Sequence, residues 1–333
     1  MSNPTLLPSE QHDASTQAAR GATFREPQTV FPKRISWQAL EPYAFLAIPL
    51  GLMGLFLFWP TAMAVGMSLL DYHHDLYAPQ WVGWSNYQQL FQSVRFWNAL
   101  VNTGLFSLGV VPAMVLIPIV MALLVNGTLR GMALFRTLLY LPVVVSMVVV
   151  GIAWKWLYAE QGLINYWLAN LGFAPVDWLV NPDVALLAVM LVVIWKGLAY
   201  YMMMYLANLQ TVSQDLYEAA SIDGANLWQR HWFVTLPHLA PTMSMVALIS
   251  TIGCLKVFTE MYVMTRGGPL GRTQTLVYYI YERAFEHLDL GVATAAGLVL
   301  MAILMVLSLL QVLLTGLGES SSDQQKIQAH RAV

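Results

Sequence analysis

Six long apolar stretches divide the chain, and each is long enough to cross a membrane as a helix. A bilayer core about 30 Å thick takes roughly 20 helical residues. The stretches are continuous and do not alternate polar with apolar positions, as the strands of a membrane barrel would, so the pattern predicts an all-α integral membrane protein. The six predicted spans are approximately Tyr43–Leu70, Ala99–Val125, Thr137–Leu157, Val184–Leu206, Met243–Met264 and Leu290–Leu317.

The distribution of charge indicates that lipid is the solvent of the central part of the chain. Of the 333 residues, 58% are hydrophobic and 10% are charged, whereas soluble proteins carry about 25% charged residues. Eight of the 34 charged residues lie in residues 1–41 and four in residues 318–333, which leaves 22 for the 276 residues between them. A water-facing surface cannot be built from so few charges, so the composition excludes an ordinary soluble enzyme.

The two ends of the chain are polar. Residues 1–41 are rich in Ser, Thr, Gln and Pro, a composition typical of a disordered segment. The first apolar stretch is too long for the apolar part of a cleavable leader, so we expect it to remain as a membrane anchor. The predicted organisation is a disordered cytoplasmic tail over residues 1–41, a six-span domain over residues 42–317 and a second cytoplasmic tail over residues 318–333.

The basic residues favour a cytoplasmic position for both termini. With the N-terminus inside, nine Lys and Arg residues fall on the cytoplasmic side and five on the outer side, as the positive-inside rule requires. Without the two tails, three Lys and Arg residues remain on the cytoplasmic side and five on the outer side. Only the basic residues of the tails therefore favour the N-in, C-in orientation.

Two connecting segments have the periodicity of short amphipathic helices outside the spans. In Ser85–Trp97, and again in Gly162–Gly172, apolar residues recur at i, i+3, i+4 and i+7. Ser85 and Gln88 have the spacing of a capping box, and Gly172 suits the end of a helix. We expect both helices to lie at the membrane interface as packing elements.

Residues that would form a metal or catalytic centre are few. Cys254 is the single cysteine, which excludes an internal disulfide, and the adjacent His73 and His74 lack the i, i+4 spacing of helical metal ligands. The sequence shows neither a nucleophile with its base nor a basic cluster that would bind nucleic acid. We therefore expect no metal, no other cofactor and no catalytic residue.

The longest connection inside the membrane domain is residues 207–242, between spans four and five. Ser213 is of the residue type that caps a helix N-terminus, and Asp215 and Glu218 then lie near the positive end of that helix. Gly224 permits the left-handed backbone that ends it. The pattern predicts a short helix with defined caps.

The second half of this connection predicts another helix. It begins at about Leu227, and we expect Leu236-Pro237 to end it before span five. In the first helix Ala219 and Ala220 form a surface of small residues, which lets a partner approach closely. The predicted shape is a compact helical elbow, although an ordinary capped connection between membrane helices explains the same pattern.

Seven positions of the elbow at fixed spacing resemble the EAA loop of binding-protein-dependent ABC importer permeases. These positions are Glu218, Ala219, Ala220, Gly224, Val234, Leu236 and Pro237. The family usually has Ile at position 234. Further matching segments are Phe135-Arg136-Thr137, Leu141-Pro142, Trp195-Lys196-Gly197, Leu209-Gln210 and Gly267-Gly268-Pro269. The resemblance covers about residues 42–317 and is greatest to the sugar-transport branch with its maltose-type permeases.

The resemblance implies the type I ABC importer permease fold in the bacterial inner membrane. In such permeases the EAA loop forms a coupling helix that docks in a groove of a cytoplasmic ATPase subunit, and ATP-driven closure of the ATPase pair turns the permease from inward-open to outward-open. A cytoplasmic EAA loop also requires the N-in, C-in orientation. The coupling residues that it implies are Glu218, Ala219, Ala220, Gly224, Leu236 and Pro237.

The resemblance also implies partners. The chain lacks the G-x-x-x-x-G-K-[ST] phosphate loop, so we expect a transporter subunit rather than an enzyme, with ATP hydrolysis on separate ATP-binding subunits. The other implied partners are a second permease in a heterodimer and a periplasmic or lipid-anchored solute-binding protein.

Spans four and five carry ionisable residues, which are costly inside a membrane. Lys256 and Glu260 are four residues apart, so they are able to pair on one helix face. We expect the two spans to line the solute path, as they do in the family, with aromatic faces that stack on sugar rings. Structural pairing and interface packing are the alternatives for individual residues. The candidate path residues are Trp195, Lys196, Gly197, Tyr200, Tyr201, Cys254, Lys256 and Glu260.

The leading hypothesis is a permease subunit of a carbohydrate ABC importer. An ion-gradient-driven secondary transporter would show an intramembrane carboxylate relay, or broken helices in two corresponding halves, yet Glu260 is the only carboxylate clearly inside a span and the halves do not visibly repeat. An integral-membrane enzyme would need a catalytic constellation, which is missing. Within the ABC class, glycerol phosphate or another non-sugar solute is the alternative to a sugar.

Overall fold

The computed structural model describes residues 37–72, 79–127 and 130–315, and these are almost entirely helical. His73, His74 and nearly all of both predicted tails lie outside the described residues. The helices are α1 (Trp37–Met53), α2 (Trp59–Met67), α3 (Ser85–Gln92), α4 (Val94–Val125), α5 (Met132–Val144), α6 (Met147–Leu157), α7 (Leu163–Asn170), α8 (Ala185–Leu209), α9 (Gln214–Ile222), α10 (Leu227–Arg230), α11 (Leu236–Leu255), α12 (Thr259–Met264), α13 (Leu276–Tyr281) and α14 (Leu290–Thr315).

Smaller elements complete the described chain. Two-residue strands, β1 (Leu70–Asp71) and β2 (Gln80–Trp81), pair antiparallel. Three stretches have the wider π-helical turn, and they are Gly54–Phe58, His231–Thr235 and Glu282–Glu286. The described residues up to Phe58 form one compact unit and the residues from Trp59 form a second. The boundaries predicted for the tails and the six-span domain stay predictions.

Five helical stretches are long and apolar enough to cross a membrane. They are Phe45–Met67, Val94–Val125, Ala185–Leu209, Leu227–Leu255 and Leu290–Leu314. The predicted span Thr137–Leu157 is occupied by α5 and α6, which are bent by 95° relative to each other. The prediction of an all-α protein with six membrane-crossing segments is therefore confirmed with this bent pair counted as one span.

Span three was predicted as continuous, which is wrong because α5 and α6 are separated by two extended residues. Val145 and Ser146 have ψ angles of 136° and 139°. Pro142, in the last turn of α5, has no N–H to donate, and residues 143–145 are three β-branched valines, so the helix is weak at this point. The bend leaves the last carbonyl groups of α5 without helical partners.

Span five was also predicted as continuous and is also broken. Helix α11 ends at Leu255 and α12 begins at Thr259. Lys256 has φ −100° and ψ 10° and an exposed side chain, so the break keeps its ammonium group out of the apolar core, where burial would be costly. The i, i+4 pairing of Lys256 with Glu260, which the sequence left open as an alternative, does not occur, because the break separates the two residues and no ion pair joins them within the described ranges.

The entry into span five also differs from the prediction. The helix does not end at Leu236-Pro237 but runs without interruption from Leu227 to Leu255. The π-helical turn His231–Thr235 precedes the proline. A wider turn relieves the crowding that a proline ring imposes on the preceding carbonyl groups, so the proline is accommodated inside the helix.

The largest helix contact joins α4 and α8, which run parallel. A Cβ added at Gly109 would lie 2.8 Å from the Met190 Sδ, and one added at Gly197 would lie 2.5 Å from the Met114 Cε. Each helix thus places a glycine against a methionine of the other, and small residues let membrane helices approach closely. The main core lies between α4, α8 and α11 and includes the fully buried Tyr205.

The two short interface helices are partly as predicted. Helix α7 and the positive φ of Gly172 (+83°) confirm the second one. The first is interrupted, because Ser93 has an extended backbone and its side chain caps α4 by accepting from the Phe96 N–H at 3.4 Å. The predicted Ser85 capping box is wrong, since Trp84 occupies the N-cap of α3 and makes no side-chain cap.

Helix directions define two ends of the second unit. The connection with α9 and α10 joins the end of α8 to the start of α11, and we call this the elbow end. The connection 265–275 lies at the opposite end, beside the start of α4. There the Asn102 side chain donates to the carbonyls of Gly271 and Gln274 at 2.8 and 3.0 Å, and the Leu276 N–H donates to the Thr103 hydroxyl at 2.8 Å.

Candidate functional site

The connection between α8 and α11 forms a helical elbow, as predicted. Its first helix, α9, is capped by Ser213, whose side chain accepts a hydrogen bond from the Asp215 N–H at 3.3 Å. The predicted cap is confirmed. The Asp215 carboxylate lies in the first turn, where a negative charge stabilises the helix dipole, and Glu218 is exposed one turn further along.

The turn after α9 is closed by backbone hydrogen bonds around Gly224, which has φ +78°. The Ala225 N–H donates to the Ala220 carbonyl at 2.9 Å, and the Gly224 N–H donates to the Ser221 carbonyl at 3.1 Å. This pair of bonds is the Schellman arrangement. A Cβ at position 224 would meet no atom within 4 Å, so the left-handed backbone, rather than a lack of space, favours glycine.

The second helix of the elbow, α10, begins with a capping box that sequence reasoning missed. The Asn226 side chain accepts from the Gln229 N–H at 2.9 Å, and the Gln229 side chain accepts from the Asn226 N–H at 2.8 Å. The spacing Asn-x-x-Gln is the signal that would have found it. Because caps stand on both sides of Gly224, local chemistry fixes the relative direction of α9 and α10.

Side-chain hydrogen bonds brace the elbow. The Tyr217 hydroxyl bonds the Thr235 hydroxyl at 3.0 Å, and the His231 Nδ1 bonds the same oxygen at 3.2 Å. The Arg230 Nη1 donates to the Ser221 hydroxyl at 3.0 Å. These contacts join α9 to the helix that enters span five, so the elbow is one braced body.

Two further hydrogen bonds connect the elbow to its flanking spans. The Asn208 side-chain amide donates to the Thr242 hydroxyl, which joins the end of α8 to α11 directly. The Thr211 hydroxyl bonds the His238 Nε2 at 3.1 Å. A displacement of the elbow would therefore be passed to both α8 and α11.

The six predicted coupling residues fall in two places. Four of them belong to α9 and its turn, namely Glu218, Ala219, Ala220 and Gly224. Glu218 and Ala219 are exposed and Ala220 is half-buried. The other two, Leu236 and Pro237, lie in the first turn of α11, where the half-buried Leu236 packs against the main core and Pro237 is exposed.

Large apolar side chains are exposed on the elbow beside the coupling residues. Ile222 is 86% exposed and Trp228 is 82% exposed, and Trp232 and Phe233 are exposed as well. An apolar surface rimmed by polar residues marks an interaction site. Sequence reasoning missed these four residues because it followed the acidic and small positions of α9.

A cavity of about 290 Å³ lies between α4, α5, α6, α8, α11 and α12. We call it the mid-membrane cavity, because its lining residues lie near the middle of α4 and α8. Six of the eight predicted path residues line it, and they are Lys196, Gly197, Tyr200, Tyr201, Cys254 and Glu260. Sequence reasoning missed the wall from α4, formed by Phe106, Val110 and Met114, and it also missed Ser250. The apolar side chains of α4 carried no signal that separates a cavity wall from ordinary packing.

The other two predicted path residues do not line this cavity. The Trp195 ring packs edge-on against Trp154, with ring centroids 5.4 Å apart and planes at 64°, and the side chain is 44% exposed. Trp195 thus lies on the face of α8 that packs against α6, beside the face that lines the cavity. Lys256 is exposed at the break in span five.

The half-buried Lys196 is held by the bend in span three. Its ammonium donates to the Val143 carbonyl at 3.3 Å, one of the carbonyl groups that the end of α5 leaves without a helical partner. A cation is also favoured at the negative end of a helix. The charge of Lys196 attracts the Glu260 carboxylate, which lies in the first turn of α12, where an anion is favoured.

The chemistry of the cavity suits an uncharged polar solute. Its walls are mainly apolar, and one cation, one carboxylate and two tyrosines supply hydrogen-bonding groups. Ligand pockets combine these features, an apolar lining with a few placed polar groups. Among the described residues no three His, Cys, Asp or Glu side chains lie together as a metal site would require.

Comparison with known families identifies one that covers most of the chain. The family described as "Binding-protein-dependent transport system inner membrane component" matches residues 111–316. The lactose transport system permease protein LacF of Rhizobium radiobacter is 34% identical over 275 residues, which are 81% of this chain and 92% of LacF. The arabinooligosaccharides transport system permease protein AraP of Halalkalibacterium halodurans is 34% identical over 304 residues, 90% of this chain and 92% of AraP.

Solved structures of similar shape come from a bacterial ABC transporter that imports the acidic polysaccharide alginate. One chain has a TM-score of 0.74 and 25% identity, and the match covers 84% of this chain and 97% of that one. A chain from the complex with alginate pentasaccharide-bound periplasmic protein has a TM-score of 0.72, also at 25% identity, over 84% and 96% of the two chains. The family match gives no support to an ion-gradient-driven transporter, although spans three and five are broken. The chain belongs to the binding-protein-dependent transport system inner membrane components and is a multi-pass permease subunit of an ABC importer.

Proposed function

We propose that this permease forms half of the translocation path for a carbohydrate. The support comes from the names of its relatives, which include permeases for lactose and for arabinooligosaccharides, and from the alginate importer of similar shape. The mixed lining of the cavity also supports a sugar, because tyrosine rings pack on the apolar faces of a sugar and the charged groups bind its hydroxyls.

The elbow is, in this proposal, the docking site of a separate ATP-hydrolysing subunit. The observation that carries the proposal is that one braced body presents the exposed residues of α9 and is hydrogen-bonded to α8 and α11, the two helices that supply most of the predicted cavity residues. Glu218, Ala219, Ala220 and Gly224 form the contact with that subunit, and Leu236 and Pro237 connect it to span five.

The remaining parts of the proposed assembly follow from this division of labour. ATP-driven closure of two ATP-binding subunits displaces the elbow, and α8 and α11 carry the displacement to the cavity. A second permease completes the path as a heterodimer, and a periplasmic or lipid-anchored protein delivers the solute, as in the complex of the alginate importer with its periplasmic protein. The elbow then faces the cytoplasm, with both termini on that side.

The proposed path residues in this chain are the six predicted residues that line the cavity. Lys196 and Glu260 supply charge-assisted hydrogen bonds, and Tyr200 and Tyr201 supply ring faces. Gly197 lets Met114 of the α4 wall pack closely, and Cys254 is a small side chain of the lining. Trp195 and Lys256 lie outside the cavity. In this proposal they contact the solute only where a second permease completes the path.

Co-purification tests the proposed coupling site. The tagged chain is expressed with the permease, ATPase and binding-protein genes of its own transport system, purified in detergent and analysed for a co-eluting ATPase. We expect co-elution from the parent chain and its loss from Glu218→Lys, because the substitution reverses the charge at the contact. Glu160→Lys, an exposed glutamate at the opposite end of the membrane domain, is the control and keeps the ATPase.

Uptake by the same complex in proteoliposomes tests the solute. Radiolabelled lactose, an arabinooligosaccharide and an alginate oligosaccharide are the probes, with glycerol phosphate as the non-sugar comparison. ATP-dependent uptake of at least one sugar supports the proposal. Uptake of glycerol phosphate and of none of the sugars would contradict the sugar assignment. Uptake that needs no ATPase and is abolished by an uncoupler would contradict the proposed coupling site.

A further inference from the structure

A second cavity, of about 350 Å³, lies at the end opposite the elbow. The first turns of α4, the connection 265–275 and α13 form its walls. Its polar and aromatic side chains are Arg95, Asn98, Arg266, Gln274, Tyr278 and Glu282. Sequence reasoning gave no role to any of these residues.

Several polar groups of this cavity have no protein partner. Across residues 79–127 and 130–315, the side chains of Arg95, Asn98 and Arg266 make neither a hydrogen bond nor an ion pair. Glu282 differs, because its carboxylate accepts a hydrogen bond from the Gln274 amide at 2.5 Å. Guanidinium and amide donors in a concave wall are therefore free to bind the oxygen atoms of a ligand.

Tyr278 gives the same cavity an aromatic wall. Its side chain is 5% exposed, and a Cβ added at Gly267 would lie 2.8 Å from its ring, so the backbone of the connection packs directly on the ring. Burial raises the pKa of the Tyr278 phenol, and the neighbouring Glu286 and Glu282 raise it further. The hydroxyl therefore keeps its proton and remains a hydrogen-bond donor.

Aromatic rings connect this cavity to the mid-membrane one. The Tyr278 ring centroid lies 6.2 Å from that of Phe258, with the planes 28° apart, and Phe258 stacks on Tyr262 at 5.4 Å and 25°. Phe258 lies in the break of span five, between Val257 and Glu260, both of which line the mid-membrane cavity. The Phe258 ring, which lines neither cavity, therefore joins Tyr278 in the wall of the second cavity to the segment of chain that lines the first.

The distance between the cavities is short. Glu260, in α12, lines the first cavity, and Arg266, just after the end of α12, lines the second. The two residues are six positions apart, which corresponds to about 9 Å of helix at about 1.5 Å per residue.

We propose that the second cavity is an entry subsite for the carbohydrate and that the sugar passes across the Phe258 ring into the mid-membrane cavity. A sugar unit has hydroxyl groups around its edge and apolar C–H faces. The guanidinium, amide and phenol donors bind the edge, the Tyr278 ring of the cavity wall packs on one face, and the Phe258 ring contacts the sugar as it leaves the subsite. This inference rests on the proposed function, since it takes the solute to be a sugar that enters from the end opposite the elbow.

The number of sugar molecules imported per ATP hydrolysed tests the subsite. The complete importer is reconstituted in proteoliposomes with its binding protein and the sugar that the parent takes up best from the probes named above. A sugar that the subsite does not retain escapes before it reaches the mid-membrane cavity, while ATP is still consumed. We expect the double variant Asn98→Ala, Arg266→Gln, and separately Phe258→Leu, to lower this ratio about fivefold, as the loss of one or two hydrogen bonds or of a ring contact predicts.

Matched controls come from the same end of the molecule. Arg272→Gln removes an exposed arginine of the same connection that does not line the cavity, and Phe173→Leu removes an exposed phenylalanine after α7. Both keep the parental ratio. Tyr278→Phe preserves the packing on Gly267 and removes only the hydroxyl, and we expect a fall of about twofold, in the range of one neutral hydrogen bond.

Three results would overturn the inference. The first is a parental ratio in both cavity variants. The second is an unchanged ratio together with a weaker stimulation of ATP hydrolysis by the loaded binding protein, which would assign the cavity to docking of that protein. The third is an equal fall in the controls, which would indicate damage to this end of the membrane domain. Absence of sugar uptake by the parent importer would instead contradict the proposed function itself.

Discussion

The elbow and the mid-membrane cavity are built from contacts of different range. The hydrogen bond from Tyr217 to Thr235 spans 18 positions, and the one from Asn208 to Thr242 spans 34. The cavity brings together six helices, and its half-buried lysine, Lys196, bonds a carbonyl 53 positions earlier in the chain. Local chemistry fixes the shape of the elbow, whereas the cavity depends on where two spans break.

This difference predicts that the two regions fail in different ways. A substitution in the elbow weakens caps and turns whose individual contributions are about 1 kcal/mol, and the membrane domain stays folded. A substitution in the cavity removes the single partner of a buried group or overfills a close helix contact, and both cost more. The predictions below are ordered by the size of the expected effect.

Replacement of the cavity lysine, Lys196, has the largest expected effect. Lys196→Met removes the donor to the Val143 carbonyl and the charge that faces Glu260. We expect uptake to fall more than about tenfold, as the loss of a hydrogen bond from a charged group predicts, while the complex still assembles. Lys155→Met, an exposed lysine in the last turn of α6, keeps parental uptake. Normal uptake by Lys196→Met would remove this residue from the path.

Overfilling the contact of α4 with α8 tests the packing of the cavity wall. Gly197→Val places new methyl groups within reach of Met114, and we expect it to lower the free energy of unfolding by about 1–3 kcal/mol. Gly104→Val is the control, because a Cβ there meets no atom within 4 Å. The thermal unfolding midpoint in detergent measures both.

A second substitution checks that the effect comes from this contact. Met114→Ala removes the side chain that a residue larger than glycine at position 197 would meet. We therefore expect the double variant Gly197→Val, Met114→Ala to be more stable than the sum of the two single variants predicts. Strict additivity would contradict the assigned contact.

The turn of the elbow has a smaller expected effect. Gly224→Ala introduces a Cβ at φ +78° without a steric clash, so the strain is limited to about 1 kcal/mol. We expect the affinity for the ATPase to fall up to about tenfold with unchanged unfolding of the membrane domain. Gly127→Ala, a loop glycine at an ordinary φ, is the control. A loss of overall stability would show that the elbow is not an independent body.

The cap of α10 has the smallest expected effect. Asn226→Ala removes one half of the capping box with Gln229, at a cost of about 1 kcal/mol or less for an exposed helix end. We expect uptake to fall less than about fivefold. Gln214→Ala, on the exposed first turn of α9, should leave uptake at the parental rate, and an equal fall in both variants would contradict the role of the cap.

Much of the elbow was predictable because its signals are short. The cap at Ser213 and the left-handed turn at Gly224 depend on residue types within a few positions, and the structure has both. The error at Pro237 has a different origin. A proline usually ends a helix, but the preceding π-helical turn absorbs it, and that turn depends on the packing of Thr235, which is fully buried.

The cavity was only partly predictable for the opposite reason. Hydropathy located spans three and five, but it does not distinguish a continuous helix from one that is broken between apolar residues. The break at residues 256–258 moved Lys256 to the surface and Glu260 into the cavity. The wall from α4 was missed because Phe106 and Met114 look like any other apolar residues of a span.

The accessibility of the single cysteine tests most directly the claim that the elbow controls the cavity. Cys254 lines the cavity and is 4% exposed. In the assembled importer, its alkylation by a membrane-impermeant maleimide is measured on this chain by mass spectrometry, with the reagent added to one side of the membrane at a time. A non-hydrolysable ATP analogue is either present or absent.

We predict that the analogue slows alkylation of Cys254 from the elbow side and accelerates it from the opposite side, each by about tenfold. Glu218→Lys should abolish this response without changing the rate in the absence of the analogue. The account would be contradicted if the analogue left the alkylation rate of Cys254 unchanged in the parent. It would also be contradicted if the analogue changed this rate in Glu218→Lys as much as in the parent.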